Sequence, residues 1–110
     1  MRIAVISDVH GNCLALEAVL ADIEDTGVDM TLNLGDMVSG PLEPARTADI
    51  LIDCDFPAIS GNHERYLISN TPSVLGPVDR FALIDLNSEH LEWFADLPRT
   101  LAIDGEVFMC

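Results

Sequence analysis

The chain has 110 residues, of which 19 are acidic and five are basic, and its formal net charge at pH 7 is -14. Binding to a nucleic-acid backbone needs clustered lysine and arginine, so this composition argues against a nucleic-acid-binding protein. An acidic excess of this size is typical of a solvated surface that aids solubility, and it also suits the binding of cations.

Cys13, Cys54 and Cys110 are widely spaced and include no CxxC pair, so they indicate neither a disulfide framework nor a thiolate zinc site. They are interpreted as buried thiols in a reducing cytosol. No signal peptide is recognisable, and no segment approaches the roughly 20 apolar residues of a membrane span. We therefore expect a soluble, cytoplasmic protein that has no membrane partner.

The first apolar run, Ile3–Ile6, is too short and too β-branched for a helix, and it predicts a buried strand. The residues after it predict a helix that is capped by Asn12 and ended by Gly27. The buried stripe of this helix should contain the apolar residues that recur at helical spacing, which are Cys13, Leu16, Val19, Leu20 and Ile23. Because such a helix is a crossover, residues 29–34 should return as a strand parallel to the first.

The later elements are predicted from local signals. A second helix is expected over residues 45–53 behind Pro44, and a third strand is expected over residues 56–60. A helical turn should follow over residues 64–68, then a surface loop over residues 70–77 that can border a pocket, and then short helices over residues 79–86 and 88–96. Asp104-Gly105 predicts a hairpin between two final strands.

The sequence contains no linker and no sign of a second domain, so we expect residues 1–110 to form a single domain. The last predicted strand, Val107–Cys110, stops while it is still apolar and has no polar tail. We interpret this ending as a sign that the domain is truncated.

Polar residues of the kind that bind metals follow three predicted strands, as Asp8-Val9-His10, Gly35-Asp36 and Gly61-Asn62-His63-Glu64. The carboxyl ends of parallel strands meet at one edge of a sheet, where such proteins bind their ligands. Carboxylate oxygen and imidazole nitrogen suit divalent ions such as manganese, iron, zinc or nickel. Asp36 has two oxygens and can bridge two ions, and the amide oxygen of Asn62 is an acceptable ligand for the second.

Each of these motifs also has a simpler explanation. Asp8 can cap a helix while His10 lies on the surface, and Gly-Asp after a strand is common turn chemistry. His63 can be a solvated turn histidine, and His90, which has no ligand pattern near it, is expected to be structural or exposed. The order of the three motifs favours a shared metal site, because each lies just beyond an apolar strand and about one βα unit from the next.

These three motifs in this order resemble the calcineurin-like metallophosphoesterase superfamily, whose pattern is D-x-H, G-D and G-N-H-[DE] followed by two later histidine motifs. Residues 3–12 look especially like bacterial members of its phosphodiesterase and diadenosine-tetraphosphatase-like branches. The resemblance implies an α/β fold, namely the amino-terminal half of a layered α/β/β/α sandwich with a mostly parallel sheet and a terminal β-hairpin. It also implies metal-dependent hydrolysis of a phosphodiester, phosphomonoester or dinucleoside polyphosphate by a hydroxide that bridges two divalent metal ions.

The resemblance further implies a role for each matching residue. Asp8 and His10 would hold the first metal, Asp36 would bridge the two metals, and Asn62 would bind the second. His63 would lie near the leaving-group oxygen as a proton donor or a phosphate contact. The expected partner is a small phosphate-ester substrate, and the resemblance leaves the oligomeric state open.

The sequence departs from the family pattern in two respects. Protein phosphatases of the superfamily carry an Asp-Arg pair soon after the G-D motif, but residues 37–40 are Met-Val-Ser-Gly, so we expect His63 to lack that carboxylate partner. The two later histidine motifs are also absent, which leaves only Asp36 and Asn62 for the second metal. We therefore expect the 110-residue chain to be inactive or weakly active. The alternative interpretation is a non-catalytic scaffold or interaction module of the same fold.

Overall fold

The structure is a computed structural model that describes residues 1–110. Strands and helices alternate in the first half, in the order β1 (Ile3–Ile6), α1 (Cys13–Thr26), β2 (Met30–Asn33) and α2 (Pro44–Cys54). Three helices and a hairpin follow, which are α3 (Asn62–Ser69), α4 (Pro77–Asp85), α5 (Ser88–Asp96), β3 (Leu101–Ile103) and β4 (Val107–Met109). The predicted α/β class is confirmed.

The parallel pair at the start of the chain was predicted correctly. β1 and β2 pair in parallel, with Ile3 opposite Met30 and Ile6 opposite Asn33. The helix between them begins where the side chain of Asn12 accepts the N–H of Ala15, and it ends at Gly27, whose φ is 73°. Glycine adopts such a left-handed angle more readily than any other residue, because it has no Cβ, and the chain turns there.

The first strand is less buried than its apolar sequence predicted. β1 pairs with β2 alone, so its other edge is open and Val5 is 56% exposed. The predicted burial of Val19 on α1 was also wrong, since this side chain is 44% exposed. Both residues line an open groove of about 350 Å³ between β1 and α1, and this groove reaches Asp8. An apolar run indicates that a strand can be buried on both faces, but burial needs neighbours on both sides.

The predicted third strand is reduced to a single parallel bridge between Asn33 and Ala58. The N–H of Asn33 donates to the carbonyl of Pro57, and Ile59 donates back to Asn33. Pro57 has no N–H with which to extend the ladder of hydrogen bonds, and the N–H of Ser60 donates to the carbonyl of Pro98 instead of to β2. Residues 56–60 therefore lie alongside β2 without forming a full strand.

Two apolar clusters hold the helices and the hairpin around the sheet. The larger one lies among α1 to α5 and includes Met37 and Val38, which are fully buried just behind the loop that follows β2. The smaller one joins Leu32 of β2, Ile59 and Met109 of β4, so the antiparallel hairpin packs against the sheet. The loop after β2 is therefore anchored in the core on the side away from its polar residues.

The segment between α3 and α4 is a surface loop, as predicted. Residues 70–76 contain no helix or strand, and all of them except Leu75 are exposed. Arg80 closes the loop by donating from Nε and Nη2 to the carbonyl of Leu75, over 3.3 and 3.0 Å. None of the helices combines the length and the apolar content that crossing a membrane requires.

Candidate metal centre

The loops that follow β1 and β2 continue the parallel pairing of the strands. Three backbone N–H groups of the first loop donate to carbonyls of the second, from Asp8 to Gly35 (3.1 Å), from His10 to Asp36 (3.1 Å) and from Gly11 to Met37 (2.9 Å). Because these bonds set the register of the loops, the polar side chains of both motifs arrive at the same sheet edge. This is the arrangement that the order of the motifs predicted.

Asp8, His10 and Asp36 form a compact group at this edge, which we call the metal-type group. Each offers one ligand atom, and these three atoms lie within 4.8 Å of one another. The Nε2 atom of His10 is 3.3 Å from Oδ1 of Asp8. Two carboxylates and one imidazole at this spacing are a donor set that suits a divalent transition metal.

The imidazole of His10 is oriented by a buried carbonyl. Its Nδ1 atom lies 2.8 Å from the carbonyl oxygen of Ser39. A carbonyl only accepts hydrogen bonds, so Nδ1 carries the hydrogen and Nε2 keeps a free lone pair in the neutral ring. Histidines that bind metals are commonly fixed in this way by a partner on the other ring nitrogen.

The backbone at this group is unusual. Asp8, His10 and Asp36 have φ angles of 58°, 51° and 53°, which lie in the left-handed region. The other non-glycine residues in this region are Asp55, at the end of α2, and Asp104, in the hairpin turn, where such angles are ordinary. Left-handed non-glycine residues cost free energy and cluster at functional sites, so their coincidence with the three ligand atoms favours a functional role.

The hydroxyl of Ser7 stabilises the ionised form of Asp8. The Ser7 side chain donates to Oδ2 of Asp8 over 2.5 Å, and this hydrogen bond, with a smaller contribution from His10, lowers the pKa of Asp8. A lowered pKa keeps the carboxylate ionised to lower pH, which is the form that binds a metal.

Replacing Ser7 by alanine is expected to raise the pKa of Asp8 toward its ordinary value of 3.8, because the main hydrogen bond to the ionised form is lost. A carbon-13 NMR titration of the aspartate carboxyl groups in the metal-free chain measures this change. Asp104 is the internal control, since it lies far along the chain in the hairpin turn. An unchanged pKa of Asp8 would contradict the assignment of the Ser7 hydroxyl as its main support.

The side chain of Glu64 joins the second and third motifs. It is fully buried, and its Oε1 atom accepts the N–H groups of Asp36 (2.6 Å) and Gly61 (3.1 Å). Its Oε2 atom accepts the N–H of Met37 over 3.2 Å. Burial raises the pKa of Glu64, and these three backbone hydrogen bonds oppose the rise. Glu64 was predicted to lie in the third motif but was given no role, although an acidic residue at the third position of a helix indicates a contact with the capping residue.

Glycines allow the two loops to approach this closely. A Cβ atom on Gly61 would lie 2.7 Å from the backbone nitrogen of Asp36. A Cβ atom on Gly35, whose φ is 96°, would lie 2.8 Å from Cα of Gly61. Real Cβ atoms do not make such contacts, so the glycines of both motifs are required for the loops to touch.

The third motif opens α3, two residues earlier than the predicted helical turn. The backbone N–H of His63 donates to Oδ1 of Asp36 over 3.1 Å, and its ring lies edge-on to the ring of His10 with 5.4 Å between centroids. Asn62 is the first residue of the helix, and it is exposed. The structure thus brings His63 to the metal-type group, and Asn62 is the residue before it in the chain.

His63 has a carboxylate partner, contrary to the expectation from the missing Asp-Arg pair. Its Nδ1 atom lies 2.8 Å from Oδ1 of Asp79, a buried residue in the first turn of α4. The residue after it is Arg80, so an Asp-Arg dipeptide is present much later in the chain than the family pattern led us to expect. Asp79 was not predicted as a site residue, because no local pattern links it to the third motif.

The third histidine lies away from this edge. His90 is buried in α5, where its Nε2 atom is 2.7 Å from Oδ1 of Asp49 and its Nδ1 atom accepts the N–H of Asn87. Both ring nitrogens are therefore used to tie α5 to α2 and to its own first turn. This agrees with the structural role expected for His90.

Known proteins match both the sequence and the fold. The profile of the calcineurin-like phosphoesterase family matches residues 1–110. The crystal structure of a metallophosphoesterase from Sphaerobacter thermophilus matches 94% of this chain, with a TM-score of 0.76 and 34% sequence identity. An uncharacterized protein of Methanocaldococcus jannaschii is 40% identical over 62 residues, or 56% of this chain.

The chain belongs to the calcineurin-like phosphoesterase family, which confirms the resemblance inferred from its three motifs. The agreement in fold with the Sphaerobacter metallophosphoesterase also confirms the predicted metallophosphoesterase architecture with its terminal hairpin. The chain spans 43% of the Sphaerobacter chain and 26% of the Methanocaldococcus protein.

Proposed function

We propose that this chain provides the first half of a two-metal centre that hydrolyses phosphate esters. The observation that carries the proposal is the convergence of Asp8, His10 and Asp36, whose ligand atoms lie within 4.8 Å at one sheet edge in a member of this family. The same three residues hold left-handed backbone angles, which supports a functional reason for their placement.

In this proposal each residue of the centre has one task. Asp8 and His10 hold the first ion, Asp36 is shared by both ions, and Asn62 is a ligand of the second. The bound ions, for which manganese, iron, zinc and nickel all suit the donor set, would neutralise phosphate charge and lower the pKa of the attacking water. His63 lies beside these ligands, where it contacts the phosphate or gives a proton to the leaving oxygen.

The proposed substrate is a small phosphate ester. A phosphodiester, a phosphomonoester and a dinucleoside polyphosphate each present a phosphorus atom that two ions can bind. The net charge of -14 repels long polyanions, so a nucleic-acid backbone is disfavoured. We also propose a cytoplasmic location, which the three unpaired cysteines support.

The experiment that tests the proposal combines metal titration with turnover. The purified 110-residue chain is titrated with Mn²⁺ by calorimetry, and hydrolysis of bis(p-nitrophenyl) phosphate and p-nitrophenyl phosphate is followed with and without Mn²⁺. We expect one ion to bind per chain and turnover to be weak or absent, because the second ion has only Asp36 and Asn62. A chain that binds no divalent transition metal would contradict the proposal.

The same assays on the longest natural reading frame that contains this sequence separate the enzyme from the scaffold. Metal-dependent hydrolysis by that protein, lost when Asp36 is replaced by asparagine, is the expected result. Metal binding without turnover of the diester, of the monoester or of an added dinucleoside polyphosphate would favour a non-catalytic scaffold of the same fold. Specificity in this fold comes from the loops around the site, so the substrate panel also identifies the ester class.

A further inference from the structure

The first turns of α3 and α4 meet at an imidazole–carboxylate pair. His63 is the second residue of α3 and Asp79 is the third residue of α4, and their Nδ1 and Oδ1 atoms are 2.8 Å apart. The side chain of Asp79 makes no other hydrogen bond in the chain, so His63 is its only hydrogen-bonding partner.

The pair is too well buried to be an incidental surface contact. The side chain of Asp79 is 9% exposed, whereas that of Asp49, which pairs with His90, is 68% exposed. A carboxylate that is removed from water destabilises the fold unless it is paired and hydrogen-bonded. The first turn of α4 also favours a negative charge at this position, because the helix dipole is positive there.

The contact leaves one nitrogen of His63 free. An ionised carboxylate only accepts hydrogen bonds, so Nδ1 of His63 carries the hydrogen that Asp79 receives. The Nε2 atom has no partner in the chain, and the side chain of His63 is 25% exposed. His90 differs on both points, since its two ring nitrogens are bonded and its side chain is almost completely buried.

His63 is therefore held from two sides. Its backbone is attached to the metal-type group through Oδ1 of Asp36, and its ring is attached to α4 through Asp79. With both attachments in place the ring stands beside that of His10. A group that contacts a reacting phosphate must be placed within about 0.5 Å, which needs this kind of support.

We propose that Asp79 is the positioning residue of His63: it holds the ring by Nδ1 so that Nε2 is presented to the leaving-group oxygen of a phosphate ester. This inference rests on the proposed function for its substrate, but the hydrogen bond and the tautomer can be tested without turnover. It assigns to α4 the carboxylate that protein phosphatases of the superfamily place soon after the G-D motif.

Nitrogen-15 NMR of the imidazole rings in the metal-free 110-residue chain tests the positioning directly. We expect neutral His63 to be almost entirely in the Nδ1–H tautomer. Asp79→Asn should lose most of that population, because an amide can either donate or accept, and Asp79→Glu should restore it in part. Asp49→Asn is the matched control, since it should change the signals of His90 and leave those of His63 unchanged.

Turnover gives the second readout, in whichever form of the protein hydrolyses phosphate esters with Mn²⁺. We expect Asp79→Asn to lower kcat about 100-fold for an alkyl ester, whose leaving oxygen needs a proton. For the p-nitrophenyl ester, whose leaving group needs none, the loss should be about threefold or less, with KM nearly unchanged for both.

The possible results separate this inference from the proposed function. A wild-type His63 in the Nε2–H tautomer would overturn the inference without any variant, and so would an Asp79→Asn variant that leaves the tautomer unchanged. Equal losses of kcat for both esters would overturn it as well. Failure of the wild-type protein to bind Mn²⁺ would instead contradict the proposed metal centre, and the ring-nitrogen spectra would still report on Asp79.

Discussion

Replacing Glu64 by alanine is expected to lower the free energy of unfolding by about 3–5 kcal/mol, the range for breaking a buried network. The change removes the acceptor of three backbone N–H groups and leaves a cavity where a fully buried side chain stood. Small domains have about 5–15 kcal/mol of stability in total, so a loss of this size is a substantial part of the total. Urea denaturation followed by circular dichroism measures the effect.

Two further variants establish the cause. Glu64→Gln keeps an oxygen for the N–H groups of Asp36 and Gly61 but turns an amide toward Met37, so we expect a loss of about 1–2 kcal/mol. Glu92→Ala is the matched control, because Glu92 is an exposed helical glutamate and should change stability by less than about 0.5 kcal/mol. Equal losses for Glu64→Ala and Glu92→Ala would contradict the role of Glu64 as a link between the loops.

The stability difference between the wild type and Glu64→Gln should depend on pH. Burial raises the pKa of Glu64 above its ordinary value of 4.5, so its contribution to stability is complete below that pH. The contribution falls as the pH rises through the raised pKa, because the carboxylate must then be ionised while buried. Glutamine does not titrate, so the stability of wild type minus that of Glu64→Gln should decrease from pH 4 to pH 7. A difference that increases over this range would contradict the raised pKa.

Replacing Asp36 by asparagine is expected to weaken Mn²⁺ binding by at least about 100-fold. Removing a residue that only hydrogen-bonds to a metal ligand already weakens metal binding by about 10–100-fold, and the loss of a charged ligand should cost at least as much. Asparagine keeps the size of the side chain and tolerates the left-handed φ of 53°, so the loop should remain folded. It removes the negative charge that the proposal assigns to the position shared by both ions. Calorimetric titration with Mn²⁺ at constant pH measures the change.

The hairpin provides a matched control for this variant. Asp104→Asn makes the same chemical change at an exposed residue with a φ of 50°, far along the chain from the sheet edge. It should leave the affinity for Mn²⁺ unchanged. Equal affinities of the Asp36→Asn variant and the wild type would contradict a metal site at this edge, provided that circular dichroism shows both proteins to be folded.

Local chemistry predicted much of this fold. Asn12 caps α1 and Gly27 ends it, Pro44 begins α2, and Asp104-Gly105 turns the hairpin, each as the sequence indicated. These signals act through atoms a few residues apart, so they can be recognised without knowledge of the rest of the structure. The prediction of a third strand was wrong, because the pairing of this segment depends on Pro57 and on the hydrogen bond from Ser60 to Pro98, which is distant in sequence.

Topology predicted the centre of the candidate site. Parallel strands deliver the residues at their carboxyl ends to one edge, and this rule correctly brought Asp8, His10 and Asp36 together. Their roles as ligands, and that of Asn62, stay predictions until metal binding is measured. The rule could not predict the side chains that support the site, because these come from elements whose packing it does not describe.

The sequence by itself determined the family, the order of the elements and the three motifs that meet at the sheet edge, because strand pattern, caps and motif spacing are all local or nearly so. Only the tertiary structure decided that Asp79 would reach His63 from α4 and that Glu64 would join two loops. It also decided that β1 would keep an open edge. Such contacts depend on how helices pack around the sheet, and this packing is a property of the whole chain rather than of any segment.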